Sequence, residues 1–289
     1  MKGIVLGASG FLGRKIYDVL KSKYEVIGTY NSNSQDSNLF KVDITNKDEL
    51  IKFLEEKDFD FVIDTVAIAD PEACMKDKEK TKLINVEHVR WLCDYVNKAG
   101  KKLVYISSDY VFDGNNPPYI EENKKNPINF YGETKADAED IVLENPDHII
   151  IRPDVLYGYN GNNDKSNFFS KVYKALSQGN EIQLDNVRKR DPTLIDDIAI
   201  AIGILLEQNA KGIYHLGTKE TMTHYDFGIK VAEEFGFAKE LIKESGIDKE
   251  KTNPRPENLH LICEKIEKLG VHISSIEEAL EKIHEKIGK

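Results

Sequence analysis

Short apolar runs alternate with amphipathic stretches through the first half of the chain. KGIVLG (2–7) is an apolar run bounded by glycines, the form of a strand buried on both faces. The next segment places Leu12, Ile16, Val19 and Leu20 on one side of a helix. YEVIGTY (24–30) and LFKVDI (39–44) predict a second and a third strand. Thr45 or Asn46 caps a helix running to about residue 57, and FDFVIDTVA (59–67) is a fourth strand. A longer helix spans about 80–99 and stops at Gly100. KLVYISS (102–108) and HIIIRP (148–153), separated by a further helix, give the fifth and sixth strands. Strands joined by helices predict right-handed βαβ units and an α/β fold, a Rossmann-like doubly wound parallel sheet.

The second half is less regular. It carries a helix near 167–178, a short EIQL strand, and an apolar helix with Ile195, Ile198, Ala199, Ile202, Leu205 and Leu206. GIYHLG (212–217) is another strand, and helices lie near 224–235 and 274–287. NGNND (160–164) and NPRPEN (253–258) are loops. The organisation expected is a dinucleotide-binding domain over 1–152, with 186–217 returning to it. A small discontinuous substrate-binding domain takes 153–185 and 218–289.

The chain has 289 residues, a net charge of −10, 40% hydrophobic and 31% charged residues, which describes a folded globular protein. That negative charge argues against a broad nucleic-acid surface. No apolar run approaches the ~18 residues that span a bilayer, and with the strand pattern beginning at Lys2 no signal peptide is expected. Cys74, Cys93 and Cys263 form neither a disulfide framework nor a zinc pattern, so a cytoplasmic location is expected. The seven histidines show no ligand spacing, and no metal site is expected.

Two motifs carry chemistry. GASGFLG (7–13) directly follows the first strand and opens the first helix. Glycines there let backbone approach a pyrophosphate, which the helix N-terminus attracts. YGETK (131–135) puts Tyr131 and Lys135 on one helix face. A phenol with an ordinary pKa of ~10 is a poor acid at neutral pH, and the neighbouring ammonium is expected to lower it. Ser107 and Ser108 end the fifth strand, where open α/β sheets bind ligands.

Gly7, Gly10 and Gly13, then Ser108, then Tyr131 with Lys135, resemble the extended short-chain dehydrogenase/reductase family. YISSDYVFDG, NPPY, NFYGETK, RDPT (190–193) and NPRPENLHL (253–261) are similar to its dTDP-4-dehydrorhamnose reductase group, which includes the regulatory β subunit of methionine adenosyltransferase. The resemblance implies that Ser108 bonds a substrate carbonyl, Tyr131 donates the proton, and Lys135 anchors the cofactor ribose and tunes Tyr131. It implies cofactor contacts at Gly7, Ser9, Gly10, Phe11, Leu12 and Gly13. Further contacts fall at Asp43 and Ile44 by the adenine, Ala67 and Ile68 by the ribose, Asn85 in a proton relay, and Pro153 near nicotinamide. Asp109, Tyr110, Arg190 and Arg255 fall where the group contacts substrate. Lys15 stands near the position of a Glu that links some rhamnose-pathway reductases through magnesium.

The second strand ends in uncharged Asn31 and Ser32, with Asp36 further on in a solvated loop and Arg14 or a nearby Lys available to a 2′-phosphate. NADP(H) is therefore expected over NAD(H). The activity implied is reduction of the 4-keto group of a nucleotide-linked deoxysugar by a monomer or homodimer. The alternatives are a non-catalytic NADP-binding regulatory subunit and a sugar-nucleotide epimerase or dehydratase.

Overall fold

The computed structural model describes residues 1–32, 36–161, 166–246 and 253–288; Asn162–Asp164 of the predicted 160–164 loop lie outside them. Seven strands form one sheet in the order β11-β6-β5-β4-β1-β2-β3, every neighbouring pair parallel. They are β1 (Lys2–Leu6), β2 (Glu25–Tyr30), β3 (Phe40–Lys41), β4 (Phe61–Asp64), β5 (Lys102–Ile106), β6 (Ile149–Pro153) and β11 (Gly212–Leu216). The chain moves outward from β1 to β3 and then returns to β4 on the other side of β1. That reversal opens a crevice at the strand C-termini, the usual ligand position in such sheets.

Alternation along the strands divides the core. In β1, Val5 faces one layer while Ile4 and Leu6 face the other; in β6, Ile149 and Ile151 oppose Ile150. One layer is α1 (Phe11–Leu20) beside α8 (Ile195–Glu207), and the other is α2 (Lys47–Glu55), α5 (His88–Lys98) and α6 (Phe130–Val142). A third core holds the second lobe. There α7 (Phe168–Ser177), α9 (His224–Phe235) and α11 (Ile276–Ile287) surround Phe169, Phe227 and Leu280 beside the paired strands β8 (Ile182–Asp185) and β13 (Ile242–Ser245). Leu259, Leu261, Cys263, Ile266 and Val271 pack with the α1 and α8 layer, so 259–271 serves the sheet's core instead of the second lobe.

Three elements differ from the sequence expectation. The third strand pairs only over Phe40–Lys41, because Val42 and Ile44 turn inward to the core. The fourth ends at Asp64, whose Oδ1 accepts the N–H of Val66 and turns the chain. The long helix is broken: α4 (Lys78–Lys82) passes through a π turn (Leu83–Glu87) into α5. That wider turn carries the buried Asn85, whose amide accepts from Ile68 N (2.8 Å) and donates to Ile68 O and Thr134 Oγ1 (both 3.0 Å). A π turn at such a place satisfies a side chain that a regular helix would misdirect.

A buried ion pair ties α6 to the sheet. Arg152 in β6 donates from Nε to Glu139 Oε1 (2.8 Å) and from Nη2 to Oε2 (2.7 Å). Ser107 Oγ donates to the same carboxylate at 2.5 Å. Glu139→Ala would strand a guanidinium that is 1% exposed, and should cost about 3–5 kcal/mol. The drop in urea midpoint measures this, and Glu139→Leu with Arg152→Met should recover most of it.

Candidate active site

The strand-five terminus and the first turn of α6 are brought together by small residues and caps. Ser108 follows β5 and caps a 3-10 turn (Asp109–Val111), its Oγ accepting from Tyr110 N at 3.2 Å and donating to Asp109 Oδ1 at 2.8 Å. Asn129 caps α6 by accepting from Gly132 N at 2.9 Å. A Cβ on Gly132 would lie 2.2 Å from Tyr110 O, so only glycine lets the helix approach the Ser108 turn this closely. Tyr131 then shares a cavity wall with Ser108, with the Tyr110 ring edge-on at 5.6 Å. Lys135, one turn on, donates to Ile106 O at 2.6 Å and lies 4.1 Å above the Tyr105 ring.

Electrostatics here are governed by burial. Burial pushes the Tyr131 hydroxyl above its ordinary range, Ser108 opposes that, and the Asp109 charge adds to it. This overturns the expectation that Lys135 lowers it: at 2% exposure Lys135 is itself driven by burial down to about 8, against the pull of Asp64 and Glu139.

Ser108, Tyr131 and Lys135 line one cavity of about 500 Å³. Leu12, Ala67 and Pro153 reach it from the ends of α1, β4 and β6, and Asp109, Tyr110, Arg190 and Arg255 complete the substrate set expected from the sequence. The second lobe adds Arg188 and His224, which the sequence reading missed. The signal was the spacing of Arg188 and Arg190, two apart in an extended segment and hence on one side. Arg188 Nε, Arg255 Nε and His224 Nε2 are buried without a hydrogen-bond partner.

Several expected residues lie away from this cavity. Asp43 accepts from Thr45 N and Oγ1, Ile44 is in the core, and Asn85 and Ile68 are bonded to each other. Asn31 and Ser32 are at the exposed end of β2. Asp36 is not simply solvated: Arg14 Nη1 donates to it at 2.7 Å and Arg14 Nε to Asp18 at 2.6 Å. Lys15 donates to Tyr159 O and to Asp196 Oδ1 at the start of α8. The RDPT and NPRPENLHL motifs meet at Asp191, which accepts from Leu261 N (2.7 Å) and bonds His260 Nδ1 (2.9 Å).

The glycine turn fits a dinucleotide. Gly7 takes φ +81°, and a Cβ on Gly13 would lie 2.2 Å from Gly7 O. The turn carrying Gly7, Ser9, Gly10, Phe11 and Gly13 leads into α1 with no side-chain cap and no acidic residue in its first turn. Free N–H groups and the helix dipole there suit a pyrophosphate. Among the described residues no group of three or more His, Cys, Asp or Glu is placed to hold a metal ion. No helix among them is long and apolar enough to cross a membrane.

Comparison with known proteins agrees with this architecture. Residues 1–288 match the family model described as RmlD substrate binding domain. Methionine adenosyltransferase 2 subunit beta of Xenopus laevis is 29% identical, covering 93% of this chain and 83% of its own. The "Probable low-salt glycan biosynthesis reductase" of Haloferax volcanii is 30% identical, covering 97% and 96%. Among solved structures, a "hypothetical dTDP-4-dehydrorhamnose reductase" of Sulfolobus tokodaii superposes with a TM-score of 0.86 at 30% identity, covering 96% and 99%. A dTDP-4-dehydrorhamnose reductase of Bacillus anthracis, in complex with NADP, shares the fold at a TM-score of 0.88 and 24% identity, covering 99% of each chain. With its parallel sheet, glycine turn and Ser/Tyr/Lys group, this chain belongs to the RmlD substrate binding domain family of extended short-chain dehydrogenases/reductases.

Proposed function

We propose that the protein is an NADPH-dependent reductase acting on the 4-keto group of a nucleotide-linked deoxysugar. The observation that carries this is the convergence of Ser108, Tyr131 and Lys135 on one cavity that also holds Arg188, Arg190 and Arg255. Buried N–H groups on Arg188 and Arg255 that lack acceptors suit the diphosphate of such a substrate. The bound nicotinamide supplies the hydride. The protein's own part is to meet charge on the carbonyl oxygen as it develops, with Ser108 and Tyr131 as preorganised donors. Tyr131 holds its proton until that oxygen becomes basic enough to take it. Lys135, fixed by Ile106 O, keeps a donor beside Tyr131 and is the residue that would hold the cofactor ribose. NADP(H) is favoured over NAD(H) because β2 ends in Asn31 and Ser32, and because Arg14 neutralises Asp36, the nearest carboxylate beyond them.

The similarity to methionine adenosyltransferase β subunits favours a second reading, a cofactor-binding regulatory subunit. The two separate on one assay, NADPH oxidation with a dTDP-4-keto-6-deoxysugar.

Tyr131→Phe should lower kcat by roughly 10²–10⁴-fold and leave NADPH affinity nearly intact; NADPH binding without any wild-type turnover would sink the reductase reading. Calorimetric titration should find NADPH binding tighter than NADH, and equal affinities would overturn the assignment of Asn31, Ser32 and Arg14. A third expectation concerns Lys135, whose folded-state pKa of about 8 lies below its ordinary 10.5. Between those values the unfolded chain holds a proton that the folded chain does not, so this position's contribution to stability rises with pH across that window. Lys135→Met should flatten that rise, which amounts to roughly a few kcal/mol at most, in urea midpoints measured along the window.

A further inference from the structure

Two consecutive residues of β5 hold the Lys135 side chain. The ammonium donates to Ile106 O at 2.6 Å, and its Nζ stands 4.1 Å from the centre of the Tyr105 ring, over its face. Strand alternation explains how both contacts arise. Tyr105 turns its side chain to the layer that carries α6, whereas Ile106 turns its own to the opposite layer and meets Lys135 with its carbonyl. Tyr105 is 1% exposed and is set between Asp64 of β4 and Ile150 of β6, its partners in the sheet register.

Lys135 is itself buried, and an ammonium out of water is costly unless something replaces the water. Among the described residues no carboxylate forms an ion pair with it. Asp64 Oδ2 meets His88 Nε2 at 2.9 Å and its Oδ1 accepts from Val66 N at 3.1 Å, while Glu139 is taken by Arg152 and Ser107. The titratable groups around Lys135 are Asp64 on β4, His88 on α5, Tyr105 on β5, Tyr131 and Glu139 on α6, and Cys74 on α3 (Pro71–Lys76). Of these, only Tyr105 meets the ammonium at contact distance with a group that attracts a cation. The Tyr105 hydroxyl is buried and has no hydrogen-bond partner among the described residues, so the ring is the part of this side chain that is used. The electron-rich face of such a ring attracts a cation, more strongly where water is excluded.

An ammonium has three N–H donors. Ile106 O takes one and the Tyr105 face a second, which leaves one for the cavity that Lys135 lines. We infer that the face of the Tyr105 ring keeps Lys135 charged and leaves it a single donor for the cofactor ribose, which makes Tyr105 a positioning residue of the site. The cofactor half of this role rests on the NADPH-binding reading above; the hold of the ring on the ammonium does not. Tyr105 is not in the cavity wall and acts through Lys135.

The test keeps the shape of the ring and changes its electrons. Tyr105→Phe, and the same position carrying phenylalanine with one, two or three ring fluorines, make a series of nearly constant volume in which each fluorine drains the ring face. Lys135 is titrated by NMR in protein labelled with ¹³C-lysine, without cofactor, its signal identified by its loss in Lys135→Met. The Tyr105→Phe protein should titrate near the wild-type value of about 8. Along the fluorine series the ammonium should release its proton progressively more easily, by about tenfold at the third fluorine. A titration that stays level along the series overturns the proposal. So does a Tyr105→Phe protein that titrates as low as the trifluoro one, which would place the hold in the hydroxyl. NADPH affinity, measured by calorimetry at about pH 8, where this lysine is part-charged, should weaken in the same order, by roughly threefold to tenfold. A shifting titration with a level NADPH affinity overturns the cofactor half and upholds the ring's hold on the charge. A wild type that binds no NADPH sinks the cofactor reading instead, and the titration then decides the ring's hold alone.

Discussion

The site depends on a carboxylate with no solvent exposure. Glu139 accepts two bonds from Arg152 and one from Ser107, joining the middle of α6 to the ends of β5 and β6. Tyr131 and Lys135 lie two turns and one turn before Glu139 on the same helix, and Ser108 follows Ser107 in the chain. One buried anion thus fixes the distance between the phenol and the hydroxyl it must meet. Such a pair adds little net stability over an apolar contact; its value is in admitting one position for the helix along the sheet.

Burial also sets the chemistry. The same desolvation that raises Tyr131 lowers Lys135, so the neutral form of each is favoured where water is excluded. Tyr131 therefore keeps its proton at rest, and only an oxygen gaining negative charge beside it is a strong enough base. The surrounding carboxylates, Asp64 and Glu139, temper the loss of charge on Lys135 without reversing it.

The parallel sheet and its order of helices were legible because buried strands read as apolar runs and the helices carried regular stripes. Gly7, Gly13, Ser108, Tyr131 and Lys135 were legible because each occupies a position that tolerates few other side chains: a left-handed turn, a helix pressed on a strand, a strand terminus. What stayed hidden depends on contacts between distant segments. The Arg14–Asp36 pair joins residues 22 apart, and the bond from Leu261 N to Asp191 joins residues 70 apart. His224 looked like an ordinary helix-start residue until the second lobe closed over the cavity. The π turn at Leu83–Glu87 leaves no mark in hydrophobic spacing, since α4 (KEKTK) has no apolar residue and the apolar stripe belongs to α5 alone.

That π turn bears on how the chain accommodates length changes. It holds one residue more than a regular helical turn does, and the extra residue is absorbed around Asn85 without disturbing the helices on either side. Deleting a single residue there would restore an unbroken helix and rotate α4 by about 100° relative to α5. The face that α4 turns toward α3 (Pro71–Lys76) would swing away, and with it the buried Thr81, which bonds Cys74 O and Asp77 O. Asp70 caps α3 and Pro71 begins it, and both line the cavity. Insertions elsewhere on the surface are absorbed by loops; in this helix the reading frame of the cavity wall is counted in single residues.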